Sequence, residues 1–322
     1  MASLRDPVAI LELDIRADLE RVETVLHETI TSDQTMVHEA ARYLIDAGGK
    51  RFRPMLTLLA GYTGDPKDER LIACAAAIEL THLATLYHDD VIDETTMRRG
   101  VPTVNVRYGN SVAVLTGDFL LARASGLAAD LGAYVSRRLA DTIAELCEGQ
   151  IMETAAAGSL DVAADHYLDV IGRKTASLIA TSCHLGAWLA GASPQIVEAI
   201  TSYGIALGMA FQLSDDILDV TGEEQESGKT PGTDLREGVL TLPALETLGG
   251  RAPGGDDLRR ALEAKDAEAA LTILRENGSV ELARAAVEDW QGRARAALRP
   301  LDQGSAREAL EQLIAFIGAR TA

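Results

Sequence analysis

Positive charge is scarce in this chain. Lysine and arginine total 30 against 49 aspartates and glutamates, for a formal net charge of −19. A field of that sign opposes nucleic acid and anionic membrane surfaces, so neither is expected as a partner. An anionic substrate would need a local cluster of cations or bound metal ions. Aromatic residues are scarce too, at 4%, while hydrophobic residues reach 47%. The interior must therefore be built from Ala, Leu, Val and Ile, a mixture that suits helices better than sheets. No stretch shows the alternation of a half-buried strand. The three cysteines, Cys74, Cys147 and Cys183, have no paired spacing, which points to reduced thiols in a cytoplasmic protein. The opening "MASLRDPVAILELDIRADLE" lacks the basic-then-apolar pattern of a secretion signal. "TASLIATSCHLGAWLAGASPQIV" lacks every acidic and basic residue except His184, but its hydroxyls and proline favour a buried central helix over a membrane span.

What the chain does have is helical periodicity along most of its 322 residues. Helices are expected over roughly 8–30, from Asp65-Pro66 to about Arg99, and near 110–130, 135–155, 165–190, 195–222 and 240–248. Three shorter ones should fill the last third. "GGKRFRP" reads as a loop whose Pro54 opens the next helix. "TGEEQESGKTPGTDLREG" is the one long irregular segment, and loops of that length are usually functional. No shift of composition marks a linker, so one all-α domain over residues 1–322 is expected.

Two acidic boxes break the apolar pattern. "DDVID" at 89–93 follows "LTHLATLYH", and "DDILD" at 215–219 follows "IALGMAFQLS". In each, the first and last aspartates are four apart and share a helix face. Like charges so spaced repel, and hard cations would remove the repulsion. Mg²⁺ binds through one or two carboxylates and completes its shell with water and substrate phosphates. Cations accompany the boxes: Arg98 and Arg99 just after the first, Lys50, Arg51 and Arg53 in the glycine-flanked loop, Lys174 at the start of an uncharged helix, and Lys229 in the irregular segment. Such groups bind phosphate oxygens.

Six stretches occur in one order: "GGKRFRP", "LTHLATLYHDDVIDETTMRRG", "GDFLLARA", "GRKTASL", "GMAFQLSDDILDVTG" and "GKTPGTDLREGVLTLP". With them the chain resembles the trans-polyprenyl (isoprenyl) diphosphate synthases, in particular bacterial medium- and long-chain members. The resemblance implies an all-α isoprenoid-synthase bundle around a deep cavity, usually a homodimer. It implies head-to-tail condensation of an allylic diphosphate with isopentenyl diphosphate, with three Mg²⁺ ions per active site. By position, Asp89, Asp93 and Asp215 would bind metal, with Asp216 and Asp219 as further ligands or close behind them. Arg98, Lys174 and Lys229 would hold the allylic diphosphate. Lys50, Arg53, His82 and Arg99 would hold that of isopentenyl diphosphate. Lys174, Thr175 and Gln212 form the implied catalytic set, Thr175 and Gln212 facing the reacting carbon. The segment 222–239 would close over the phosphates. The chain departs from the family pattern at Val239, where many relatives carry a lysine that contacts phosphate.

Product length should depend on the helix before the first box. One turn rises about 5.4 Å, close to one C5 unit. Ala84 and Thr85 stand where shorter-chain relatives often carry blocking aromatics, and Thr81, Ala77, Ala76, Ala75, Cys74 and Ala73 continue a small-residue wall. A product of C30 or more is expected, with Tyr87 shaping the upper cavity. A C20 or C15 product remains open if other helices close the tunnel. A terpene cyclase on the same fold and a subunit of a heteromeric synthase are the other readings. The second DDxxD box argues against the first, and the retention of both boxes against the second.

Overall fold

The computed structural model describes residues 7–11, 13–222 and 231–320. After a 3₁₀ turn at Pro7–Ile10, the described residues form ten helices up to the second acidic box: α1 (Arg16–Thr29), α2 (Thr35–Asp46), α3 (Phe52–Gly61), α4 (Arg70–Ile92), α5 (Val104–Tyr108), α6 (Asn110–Asp130), α7 (Ala133–Ala156), α8 (Ala164–Ile171), α9 (Ser177–Leu189) and α10 (Pro194–Thr221). Further helices follow at Thr233–Glu237, Leu242–Leu248, Gly255–Glu263, Ala267–Glu276, Ser279–Ala297 and Ser305–Ala319. The all-α expectation holds. The last third carries four amphipathic helices after Leu248, where three were expected.

The helix expected from Asp65 to Arg99 is shorter at both ends. Asp65 and Asp68 each accept a backbone N–H two residues on, from Lys67 and Arg70, and these local turns compete with the helix until Arg70. At the other end Glu94 takes a left-handed conformation, φ 51°, and Thr95 N–H bonds back to Asp90 O at 3.0 Å. That six-to-one closure is a Schellman stop, with glutamate where glycine is usual. Arg98 therefore lies not on a helix but in a two-residue antiparallel hairpin, Met97–Arg98 against Val101–Pro102, and Arg99 is in its turn. The helix expected at 165–190 is also interrupted. Residues Gly172–Ala176 form a π-helical turn, closed by Ser177 N–H to Gly172 O.

The chain divides into two compact units. One comprises Met1–Ile143, Thr181–Thr201 and Pro300–Leu310; the other comprises Ala144–Ala180, Ser202–Arg299 and Glu311–Ala322. In the first, α4 packs against α6, α3 and α1. Along α4, Ala75, Ala76, Leu80, Leu83 and Ala84 are fully buried. In the second, Leu242–Leu248 packs against Ser279–Ala297 and Gly255–Glu263. By length and composition α4, α6 and α10 are apolar enough to cross a membrane; α4 and α10 bury most of that apolar stretch within the protein, α6 only a third of it.

Candidate active site

The first unit carries the first acidic box. Asp89 is half-buried near the end of α4, and Asp93, just past it, is exposed. Asp90 turns inward: it is 1% exposed, and Arg98 Nε donates to its Oδ1 at 2.5 Å. Asn105 donates to its backbone carbonyl at 3.0 Å. Burial raises the Asp90 pKa and the Arg98 charge works against that shift. The hairpin that the Schellman stop creates thus returns Arg98 to the box.

Cations gather behind this box. Arg99, itself left-handed at φ 53°, donates through Nη1 to Leu44 O at 2.7 Å and to Gly48 O, the open end of α2. Arg51, φ 47°, is buried and bonds to Glu23 and, at 3.3 Å, to Glu79. Burial disfavours its charge, and Glu23 and Glu79 together overcome that. Gly49 lies so close that a Cβ there would stand 2.6 Å from Arg51 Nη1 and 3.0 Å from the Arg99 guanidinium. Arg53 Nε is buried without a hydrogen-bond partner, and burial lowers the Arg53 pKa to about 10. His82, two turns before Asp89, is held neutral by burial and by Arg53, Arg99, Arg98 and Arg51 around it. A buried, unpartnered guanidinium nitrogen among other cations is a place for an anion. Lys50 is exposed in the same loop.

The second unit carries the second box on α10. Asp215 is 39% exposed at its side chain and pairs with Arg320. Asp216 is buried, receiving Tyr167 O–H on Oδ2 and Gln212 Nε2 on Oδ1 at 3.0 Å. Burial, with Asp234, Asp219 and Glu153 nearby, raises its pKa well above the carboxylate range. Asp219 accepts the backbone N–H groups of Thr233 and Asp234 at 3.1 and 3.3 Å. The π turn sets Lys174 and Thr175: Lys174 pairs with Glu153, and Thr175 Oγ1 donates to Gln212 Oε1 at 2.9 Å. Close approach holds that turn. A Cβ on Gly149 of α7 would stand 2.9 Å from Lys174 N, and one on Gly208 of α10 would stand 2.7 Å from Ala176 Cα. Glycine at both positions lets the backbones meet.

Both boxes divide their aspartates alike. The first is reachable from solvent, and the second is buried and bonded within its own unit. Among the described residues no three His, Cys, Asp or Glu groups cluster as a ready metal site. Reachable carboxylate oxygens without a closed cage fit Mg²⁺, which keeps water and substrate phosphate in its shell.

These arrangements stand in a chain whose residues 34–275 match the polyprenyl synthetase family. The chain belongs to that family. A nonaprenyl diphosphate synthase of Mycobacterium tuberculosis is 41% identical over 318 residues, 97% of this chain and 95% of that protein. A heptaprenyl diphosphate synthase component 2 of Geobacillus stearothermophilus is 40% identical, covering 94% and 96%. The crystal structure of a geranylgeranyl pyrophosphate synthase from Corynebacterium glutamicum, complexed with calcium and isoprenyl diphosphate, superimposes with a TM-score of 0.84 at 41% identity, covering 95% and 96%.

Within this polyprenyl synthetase fold the residues assigned to chain length lie on α4. Ala84 is fully buried. Thr85 and Thr81 turn their hydroxyls onto their own helix, at His82 O and Ala77 O (2.8 and 2.9 Å). Bonding the hydroxyls inward makes the outer surface of these threonines a methyl surface. Tyr87 does not shape an upper cavity: its ring is 1% exposed and its hydroxyl donates to Ala40 O of α2 at 2.6 Å, a pin between helices. Lys229 lies outside the described residues. Val239 donates its N–H to Asp234 O at 2.8 Å. Arg236, three residues before Val239, is paired with Glu268 at 2.9 Å and bonded to Pro231 O. Glu79, Glu153, Tyr167 and Arg320 carry no signal in the sequence, whose helical periodicity does not say which neighbour packs on each of them.

Proposed function

We propose that the chain is a chain-elongating trans-prenyltransferase. It joins an allylic diphosphate head-to-tail to isopentenyl diphosphate: the allylic C–O bond breaks, the alkene carbon forms the new C–C bond, a proton is lost, and inorganic diphosphate and a linear polyprenyl diphosphate, of C30 or more after repeated cycles, are released. The observation that carries this reading is the shared design of the two boxes: a solvent-reachable aspartate beside a buried, fixed one, each box with cations or dipoles of its own unit at hand. Mg²⁺, three ions by family resemblance, bound by Asp89, Asp93 and Asp215 with Asp219 close behind, would neutralise the diphosphate as it leaves. Arg98, fixed by Asp90, and Lys174, with Lys229, hold the allylic diphosphate. Arg53, Arg99, Lys50 and the neutral His82 hold the diphosphate of isopentenyl diphosphate. Charge placed where the leaving oxygen becomes anionic lowers the barrier to C–O cleavage. Thr175 and Gln212 present oxygen dipoles to the allylic cation, and the apolar helix walls keep water from capturing it. The small, methyl-surfaced stretch of α4 accepts the growing chain, and a nonaprenyl diphosphate synthase and a heptaprenyl diphosphate synthase component 2 among the relatives support a long product. The whole chain, 1–322, works as one catalytic domain of a cytoplasmic homodimer.

The test is incubation of the purified protein with isopentenyl diphosphate and, separately, dimethylallyl, geranyl, farnesyl and geranylgeranyl diphosphates, with and without Mg²⁺. Products are dephosphorylated and sized by mass spectrometry. A Mg²⁺-dependent ladder beyond C25 is expected. A stop at C20 keeps the chemistry and removes the long tunnel; this second reading draws on the geranylgeranyl relative. No linear product from any primer overturns the reaction.

A further inference from the structure

Asp216 receives more from the protein than a metal-binding carboxylate needs. It is 3% exposed, and both its oxygens already accept hydrogen bonds, from Tyr167 and from Gln212. Gln212 in turn accepts from Thr175. Every donation in this chain runs toward Asp216. The Gln212 amide turns its NH₂ to Asp216 Oδ1 and its carbonyl to the Thr175 hydroxyl. That carbonyl then draws in the hydroxyl proton of Thr175. What the chain leaves unused at its Thr175 end is oxygen lone pairs. Donating a hydrogen bond also makes a hydroxyl oxygen a stronger acceptor, by about 10–30% per bond in a chain. Tyr167 completes the device by occupying the second carboxylate oxygen, which stops Asp216 from rotating away from Gln212.

We propose that Asp216 and Tyr167 are positioning residues that fix the hydrogen-bond polarity of Gln212 and Thr175, so that oxygen lone pairs, not N–H or O–H groups, face the developing allylic cation. This rests on the prenyl-transfer reading above. It takes Asp216 out of the metal-ligand set and gives the second aspartate of this box a separate task.

The test combines a double-mutant cycle with metal binding. Asp216→Asn, Tyr167→Phe and Thr175→Val are each near-isosteric. Each is expected to lower the single-turnover rate of chain elongation by about 10–100-fold, the range for partners one layer behind a reacting group. KM for both diphosphates stays at the wild-type value. Mg²⁺ titrated calorimetrically into the protein with inorganic diphosphate present binds Asp216→Asn as it binds wild type. The Asp216→Asn/Thr175→Val double variant is no slower than Thr175→Val alone, because both act through one chain. Weakened Mg²⁺ binding in Asp216→Asn, or rate losses that multiply in the double variant, overturn the inference and leave prenyl transfer standing. A wild-type protein that makes no linear product overturns both. Melting curves accompany each variant; if Asp216→Asn does not fold, Tyr167→Phe with Thr175→Val runs the same cycle.

Discussion

Neighbouring residues on an α-helix point about 100° apart, so two adjacent aspartates at the end of a buried helix cannot both face solvent. Asp89-Asp90 and Asp215-Asp216 resolve this in the same way, and the buried member is useful because it is held: Asp90 by Arg98, Asp216 by Tyr167 and Gln212. At the same scale, Ala84 is fully buried one turn before the first box. Ala84→Phe should shorten the product by at least one C5 step, read by mass spectrometry of the dephosphorylated prenols, at an overpacking cost of about 1–3 kcal/mol in stability. An unchanged ladder would remove Ala84 from the tunnel wall. His184 supplies a pH prediction. Thr201 gives its hydroxyl proton to Val197 O, so His184 Nδ1–H donates to Thr201 at 2.9 Å and Nε2 accepts from Tyr134 at 2.7 Å. Burial, with Arg138 nearby, lowers the His184 pKa to about 4. The unfolded chain binds this proton near pH 6.5. The stability that His184 contributes is therefore complete above about pH 6.5 and is lost as pH falls from there toward the folded value. Melting temperature should drop across that window, and His184→Asn should flatten the drop.

At the scale of elements, the π turn at Gly172–Ala176 decides where Lys174 and Thr175 stand. π turns are uncommon and recur at functional sites. This one is bracketed by Gly149 and Gly208, where no side chain fits. Gly208→Val should push the turn away from α10, breaking the 2.9 Å Thr175–Gln212 bond. We expect a loss of roughly 1–3 kcal/mol in stability, seen in chemical denaturation, together with a fall in kcat larger than any rise in KM. A fall in KM affinity alone would show that the turn serves binding instead. The motif residues were legible in the sequence because they interrupt apolar helices with charge. Their holders were not. Glu79 and Tyr167 sit on helix faces whose burial depends on which neighbour packs there, and periodicity alone does not name the neighbour. The end of α4 was missed because a left-handed glutamate, Glu94, stops it where helical spacing continues to Arg99. The interruption of 165–190 was missed because a π turn keeps the residue types of a helix and changes only the bonding.

At the scale of the whole molecule, self-association must overcome a net charge of −19 on each copy. Apolar area is the available driving force, and α6 displays it: Val114 is 39% and Leu115 66% exposed, and a Cβ placed on Gly126 would point into open space. The helix is apolar enough to span a membrane, yet only a third of that stretch is buried. A symmetric dimer would bring this face against itself, so any charge placed on it is met by its own copy. Leu115→Glu adds one negative charge per chain at the most exposed of these apolar positions and leaves the folded chain intact, because the position is already open to water. The wild-type protein should sediment as a dimer of about twice its 34.2 kDa chain mass, and Leu115→Glu as a monomer with an unchanged helical circular dichroism spectrum. Added salt should screen the mutual repulsion and return part of the variant to the dimer. A Leu115→Glu protein that stays dimeric at low salt would place the contact on another face.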